Sequence, residues 1–445
     1  MAYILSRLCG DLWISQWTGM VGQSLSVQKA MKILLPFLIP FFLLILSTWA
    51  QTDLNNSFNW PQWRGPDRDG LITKDAPWPK KIDSSYLKQS WRIKMGKGYS
   101  GPIVSEQFVF STESVDDNEV IHAYNRANGT LEWSNKWAGQ MKVPFFAAKN
   151  GSWIRSTPVY DNENIYVCGM RDVLHCINAK TGKTNWKVDF VERYKTPLPA
   201  FGMVCSPIID GDFLYVQAGA GFVKLNKKNG ESIWRSLTDK GGMFGSAFSS
   251  PVIAKLHGMK QIIVQTRTDL AGVNPINGNV IWKQPIKAFR GMNILTPSVI
   301  GNNIFTSSYG GKSLLFSLQN KGGSQSINKT WENKQEGYMS GPIILEGYCY
   351  IHLRKQRITC LDMETGETKW ISSKSFGKYM SMVSNGKEIL ALDEDGTLYL
   401  IDPNPEKFVI KESRKISESP TWAHLAISGT QLFVRELEAL ACYSW

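Results

Sequence analysis

Short apolar runs of four to six residues, rich in β-branched and aromatic types, alternate along this chain with clusters of Gly, Asn, Asp and Pro. One stretch shows the whole grammar: Ser156-Thr157-Pro158-Val159-Tyr160, then Asn164-Ile165-Tyr166-Val167-Cys168, then Val173-Leu174-His175-Cys176-Ile177-Asn178. A turn Ala179-Lys180-Thr181-Gly182 follows, and then Lys183-Thr184-Asn185-Trp186-Lys187-Val188. Runs this short, bounded by turn formers, predict four antiparallel strands joined by tight hairpins, here called A to D.

The pattern returns from Gly101 to Trp133, Ser206 to Trp234, Ser250 to Trp282, Thr296 to Trp331 and Ser340 to Trp370. A period of roughly 40 to 50 residues marks one supersecondary unit copied many times. Two weaker copies follow, from Met380 to Ile416 and from Trp422 to Trp445. The last stops after its third strand, Ala439 to Ser444, whereas Ser90-Trp91-Arg92-Ile93-Lys94 reads as a fourth strand without its first three. Joining the two closes a ring and removes the open sheet edges that invite aggregation. The expected architecture is therefore all-β: an eight-bladed propeller over residues 90–445, built of four-stranded antiparallel blades and sealed by an N-terminal strand.

The repeated Trp91, Trp133, Trp186, Trp234, Trp282, Trp331 and Trp370 are expected to be structural. An indole on the outer strand can fill the wedge between neighbouring sheets and give its N–H to a carbonyl, while a nearby Gly permits the tight turn.

Residues 1–50 are set apart from the fold. Lys32, the apolar stretch Ile33–Leu46 and the small-residue exit Ser47-Thr48-Trp49-Ala50 read as a secretory signal peptide starting at Met31 and cleaved at about Ala50/Gln51. Pro36 and Pro40 interrupt the apolar stretch, which is shorter than the roughly 20 residues a membrane span needs. The thirty residues ahead of Met31 read as an upstream start wrongly chosen. The implied destination is periplasmic or secreted, with no integral membrane segment after cleavage. Residues 51–89, with Trp60, Trp63 and Trp78 among prolines, predict an irregular arm packed on the ring, a partner-binding tail being the alternative.

The formal charge is +12, and three cations against one acid in the first fifty residues leave +10 on the rest. The lysines fall mostly in turns, with no contiguous basic stripe and no nucleic-acid reader motif, so no nucleic-acid partner is expected. Six cysteines remain beyond residue 50. Cys176, Cys360 and Cys442 share one strand-C position, which suits a small residue buried between sheets. Cys168 and Cys176 are expected to face each other across a hairpin, where a disulfide is the sharper alternative to two free thiols.

The repeat Ser-Pro-Val/Ile, Ile-Tyr-Val, Leu-x-x-Ile/Leu-Asn/Asp, Thr-Gly, x-x-x-Trp, cleanest at Leu361-Asp362-Met363-Glu364-Thr365-Gly366-Glu367-Thr368-Lys369-Trp370, resembles the pyrroloquinoline-quinone-like (PQQ-like) β-propeller family. The leader Trp60-Pro61-Gln62-Trp63-Arg64-Gly65-Pro66-Asp67-Arg68-Asp69-Gly70 resembles that of secreted members from planctomycetes and Bacteroidetes. The family includes quinoprotein dehydrogenases and the outer-membrane-protein assembly lipoprotein of Gram-negative bacteria, so the resemblance implies a fold more than a function. A dehydrogenase of the family implies PQQ held against two adjacent cysteines, with calcium on Glu, Asn and Asp. This sequence has no Cys-Cys pair, no Cys-x-x-Cys-His haem motif and no Ser-His-Asp or metal-ligand spacing. No catalytic residue, metal or cofactor is expected, PQQ with calcium belonging only to the alternative reading.

Propellers place function where the eight A strands begin, and the D-to-A connections there are the long ones. Side chains ahead of the strand-A Pro steps are Tyr99, Trp153, Arg155, Met203, Cys205, Phe248, Asn293, Tyr338, Tyr379, Trp422 and His424, with Arg290 and Lys378 close by. Rings, amides and cations together suit a protein segment, a sugar or an anionic group. The plain alternative is that they cap the channel. The leading expectation is a non-catalytic, monomeric scaffold for an envelope protein or polysaccharide. A quinone-dependent oxidoreductase and a structural or sensory ectodomain are the alternatives.

Overall fold

The computed structural model describes residues 59–445, save 74, 140 and 243–247. The expected signal segment and its exit at Ala50/Gln51 lie outside the described residues.

Eight separate four-stranded sheets follow the chain order A-B-C-D. Blade 1 is built of β2 (Ile103–Val104), β3 (Phe108–Val115), β4 (Asn118–Asn125) and β5 (Leu131–Ala138), and blade 2 of β6 (Val159–Tyr160), β7 (Asn164–Gly169), β8 (Val173–Asn178) and β9 (Thr184–Asp189). The eighth blade is composite. Its outer strand β1 (Lys88–Lys94) pairs antiparallel with β32 (Ala439–Ser444), so the two ends of the propeller share one sheet. Arg92 grips Glu436 through both carboxylate oxygens across this seam, at 2.9 and 2.8 Å. The buried Arg435 guanidinium donates to the carbonyls of Gly96 and Thr112 beside blade 1.

The tryptophan repeat works as a clasp. Each of these indoles stands opposite one strand-C residue, and that residue is small in five blades: Ala123, Cys176, Gly272, Cys360 and Cys442. Six indole N–H groups reach a carbonyl in the C-to-D turn of the next blade, as from Trp133 to Ala179 at 3.0 Å and from Trp331 to Met363 at 2.9 Å. In five of the six the ring lies against the glycine of that turn; the turn that receives Trp370, at Asn404, has none. A Cβ on Gly182 would stand 2.6 Å from Trp133, and Gly182 also needs its φ of +71°. The turn itself is set by the preceding Asn178, whose side-chain oxygen accepts from the N–H groups of Lys180 and Thr181.

Trp282 departs from the expected pattern. Blade 5 replaces the short turn with a long hairpin, β20 (Ser313–Lys321) to β21 (Ser324–Asn333), which carries its turn glycines, Gly322 and Gly323, out of reach of the indole. Trp282 instead donates to Gln261 within its own blade, at 2.8 Å.

The facing of Cys168 and Cys176 does not occur. The register sets Cys168 opposite Leu174 and Cys176 opposite Tyr166, and both are free, buried thiols. The hairpin centre lies one residue before Asp172, and this shift moves the two sulfurs off a common rung.

The acidic runs Asp116-Asp117-Asn118-Glu119 and Asp393-Glu394-Asp395 lie at B-to-C hairpin tips, where surface turns are the ordinary reading, yet each sends one carboxylate inward. Glu119 is fully buried and accepts from Trp137 Nε1 and the Met170 N–H, both at 2.8 Å, while burial raises its pKa to about 7. Asp393, likewise buried, accepts from the Gly377 N–H at 2.7 Å.

Next to Glu119's partner lies His175, stacked on Trp137 with centroids 4.3 Å apart and Nε2 unpartnered. Burial, with a smaller push from Lys187, lowers its pKa to about 4. A folded value below the ordinary one means that the neutral ring's contribution is present above pH 6.5 and lost as pH falls toward 4. His175→Phe keeps a stacked ring and removes the titration. Relative to the parent, the variant should gain about 1–2 kcal/mol between pH 8 and pH 5 in urea unfolding, whereas a pH-independent difference would contradict the burial account.

Candidate functional site

The N-terminal arm decides which end of the propeller is open. Trp60 bridges Val104, the Pro61 carbonyl accepts from the Tyr160 N–H, and Leu71 bridges Ser384. All three partners end a strand A, in blades 1, 2 and 7. From there two arginines reach along the axis to the Pro steps where other A strands begin. Arg68 donates to the carbonyls of Ser206, Pro207 and Pro251, and Arg64 to that of Pro342. Both guanidiniums are buried, which lowers their pKa to about 9 and about 10 without discharging them at neutral pH. The arm thus fills the channel from the strand-exit side. Its Ile82 and Leu87 also pack with core residues of the seventh and eighth blades, and Ile82 and Leu87 give their carbonyls to Arg414 at the seventh blade's tryptophan-free outer strand.

At the opposite, strand-entry face lies a cavity of about 500 Å³, within the range of about 300–1,000 Å³ common for ligand pockets. Its wall includes Arg155, Phe248, Arg290, Tyr338, Lys378 and Trp422, all singled out from the sequence. Tyr99 adjoins it, stacked on Trp422 at 5.0 Å and edge-on to Trp153 at 5.3 Å. Arg155 lies over Tyr99 at 5.9 Å and donates to the Gly151 carbonyl, while its Nε is buried without a partner. Burial lowers the Arg155 pKa, opposed by Tyr99 and Tyr338 beside it, and pushes the Tyr99 hydroxyl up to about 12.

Five of the expected mouth residues are buried instead: Met203, Cys205, Asn293, Tyr379 and His424. The chain enters the narrow inner ring just ahead of each strand A, so alternate side chains already point into the packed interior. Cys205 accepts from the Gln217 N–H at 3.4 Å, and Asn293 donates to the carbonyls of Thr266 and Arg267. Tyr379 and His424 continue the ring column inward. Tyr379 meets Trp422 and His424, and His424 meets Trp63 of the arm edge-on at 5.1 Å. Burial, helped by Arg64, holds the His424 pKa well below its ordinary value, so this imidazole is neutral.

Sequence reasoning missed Phe146, Phe201, Phe289, Tyr309 and Arg354 in the same wall. The first three sit on the long D-to-A connections, whose length was the available signal. Tyr309 and Arg354 sit on B-to-C turns, which rise on the same face. The rings form two arcs: Phe146, Phe201 and Phe248 at successive centroid distances of 6.1 and 5.7 Å, and Phe289, Tyr309 and Tyr338 at 5.7 and 5.0 Å. Arg354 covers Tyr309 at 4.5 Å and pairs with Glu336 at 3.3 Å.

The wall contains four cations and no carboxylate. Calcium needs several hard oxygen ligands, and among the described residues no three of His, Cys, Asp and Glu stand together to hold a metal. The wall therefore does not fit calcium. Among the described residues no helix is long and apolar enough to cross a membrane.

The repeats also match known proteins. A family model described as outer membrane protein assembly factor BamB covers residues 116–372. BamB of Yersinia pestis is 20% identical over 352 residues, spanning 76% of this chain and 84% of that protein. BamB of Moranella endobia (strain PCIT) is 22% identical over 265 residues, 56% of this chain and 62% of that one. Of solved structures, BamB from Moraxella catarrhalis has a TM-score of 0.58 at 13% identity, covering 81% of this chain and 98% of its own. The computationally designed Ika8 protein has a TM-score of 0.56 at 8% identity, with 79% and 98% covered. At these identities the structural likeness shows the fold.

Proposed function

This chain belongs to the propeller family described as outer membrane protein assembly factor BamB, and from that premise we propose that it is a non-catalytic scaffold outside the cytoplasm that holds a protein partner at the strand-entry mouth. The observation that carries the reading is the asymmetry of the two faces. One end of the channel is filled by the chain's own arm, and the other presents an aromatic, cationic cavity. Large apolar side chains stay exposed around that cavity: Phe145 at 90%, Phe146 and Phe289 both at 49%. Exposed rings gathered at one mouth are what an interface offers, since aromatic and Arg anchors dominate binding energy. The relatives' name, an assembly factor, supports a protein partner and an envelope location.

The test is partner capture from the envelope fraction of the source organism by Arg155→Ala with Tyr338→Ala. Both side chains line the cavity, and neither bridges blades through a clasp. Captured protein should fall about tenfold or more while the melting temperature holds. Undiminished capture would rule out this face. Micromolar binding of PQQ with calcium by isothermal titration would favour the oxidoreductase reading instead.

A further inference from the structure

The charge of the mouth narrows its partner further. Arg155, Arg290 and Lys378 reach the cavity wall, and among the described residues none of the three side chains has an acidic partner. Arg155 has a buried, unsatisfied Nε. Arg290 lies over Phe289 at 5.1 Å and takes a left-handed backbone, φ +52°, that few L-residues adopt. Three cations without an ion-pair partner share this wall with two arcs of rings; Glu394 accepts from the Lys378 backbone N–H and not from its ammonium, so charge-assisted donors stay unused, and such donors favour carboxylates.

We infer that the mouth receives a peptide segment of the partner protein in which acidic side chains sit beside a large flat or apolar one. The carboxylates meet Arg155, Arg290 and Lys378, and the apolar side chain slots between the rings. This rests on the scaffold reading above. Because Arg64, Arg68 and the rest of the arm fill the channel below, the cavity is blind: the segment enters and leaves by one opening and does not thread through. An acidic polysaccharide fits less well. Sugar hydroxyls need acceptors as well as donors, and the wall's only side-chain acceptors are the neutral amides and phenols of Asn150, Gln356, Tyr309 and Tyr338, while its charge is all on donors.

The experiment is selection from a random peptide array by the purified full-length chain, followed by anisotropy titration of a selected peptide. Selected sequences should be enriched in Asp and Glu within two positions of Phe, Tyr, Trp or Leu. Changing the acids to amides should weaken binding about tenfold or more, as should the protein variant Arg290→Gln with Lys378→Gln. Raising salt should weaken it too. Both variant side chains are exposed, so the blades keep their packing. Selection without acid preference, or equal binding by the variant, overturns the inference. So does mouth-dependent binding of polygalacturonate with no peptide selected. If envelope capture still depends on Arg155 and Tyr338 while acid preference is absent, the scaffold reading stands and this one falls; if capture is independent of them, the scaffold reading itself falls.

Discussion

Arg68→Ala should lower the unfolding free energy by about 3–5 kcal/mol. The Arg68 side chain is 3% exposed and donates from all three nitrogens: Nε to Gln62 Oε1 at 2.9 Å, Nη1 to the carbonyls of Ser206 and Pro251 at 3.1 and 3.0 Å, and Nη2 to that of Pro207. Truncation leaves the buried carbonyls of Pro207 and Pro251 without donors and that of Ser206 with only the weak Cys205 thiol at 3.7 Å, and each costs up to about 1–3 kcal/mol less whatever water recovers. Arg68→Lys keeps the charge, but its single nitrogen lacks the fork that spans two blades, so an intermediate loss is expected. Urea unfolding of the three proteins checks this. A loss under about 1 kcal/mol for Arg68→Ala would mean that the arm only rests in the channel and does not brace it.

The second large effect is expected at a clasp. Trp331→Ala should cost about 3–5 kcal/mol, the usual range for deleting a buried Trp. The indole is 8% exposed, packs with Phe305, Leu315, Leu361 and Met363, and binds the Met363 carbonyl in the sixth blade. Gly366→Ala attacks the same clasp from the other side. Its Cβ would stand 2.6 Å from the Trp331 ring, at a φ of +77°, so a loss of about 1–3 kcal/mol is expected. Because the two residues touch, their losses should not add, and a double-mutant cycle measures the coupling. Full additivity would show that the ring and the turn stabilise the blades independently.

Much of this architecture was legible because its parts are neighbours. A blade is four consecutive strands, and a clasp joins one repeat to the next, so a period in the chain reports both. The closing strand at Trp91 was legible because the last repeat is one strand short. The site was legible only in part. That D-to-A connections gather at one mouth follows from the repeat, but which of their side chains face the cavity depends on where each connection enters the inner ring. Tyr338 and Trp422 stay at the wall, whereas Tyr379 and His424 turn inward. Glu119 shows the same limit: a hairpin-tip acid reads as a surface charge until Trp137 and Met170 are placed around it.

By itself, the sequence determined the all-β repeat, the number of blades, the tryptophan clasps and the strand that closes the ring. Only the tertiary structure decided that Arg64 and Arg68 fill the channel, that Cys168 and Cys176 miss each other, and that Arg155, Arg290 and Lys378 share one acid-free cavity. The reason is geometric. Apart from the closing seam, blade contacts join residues within one or two repeats, whereas the axis brings together Arg64 and Pro342, 278 positions apart, and no local period records which distant side chains will meet there.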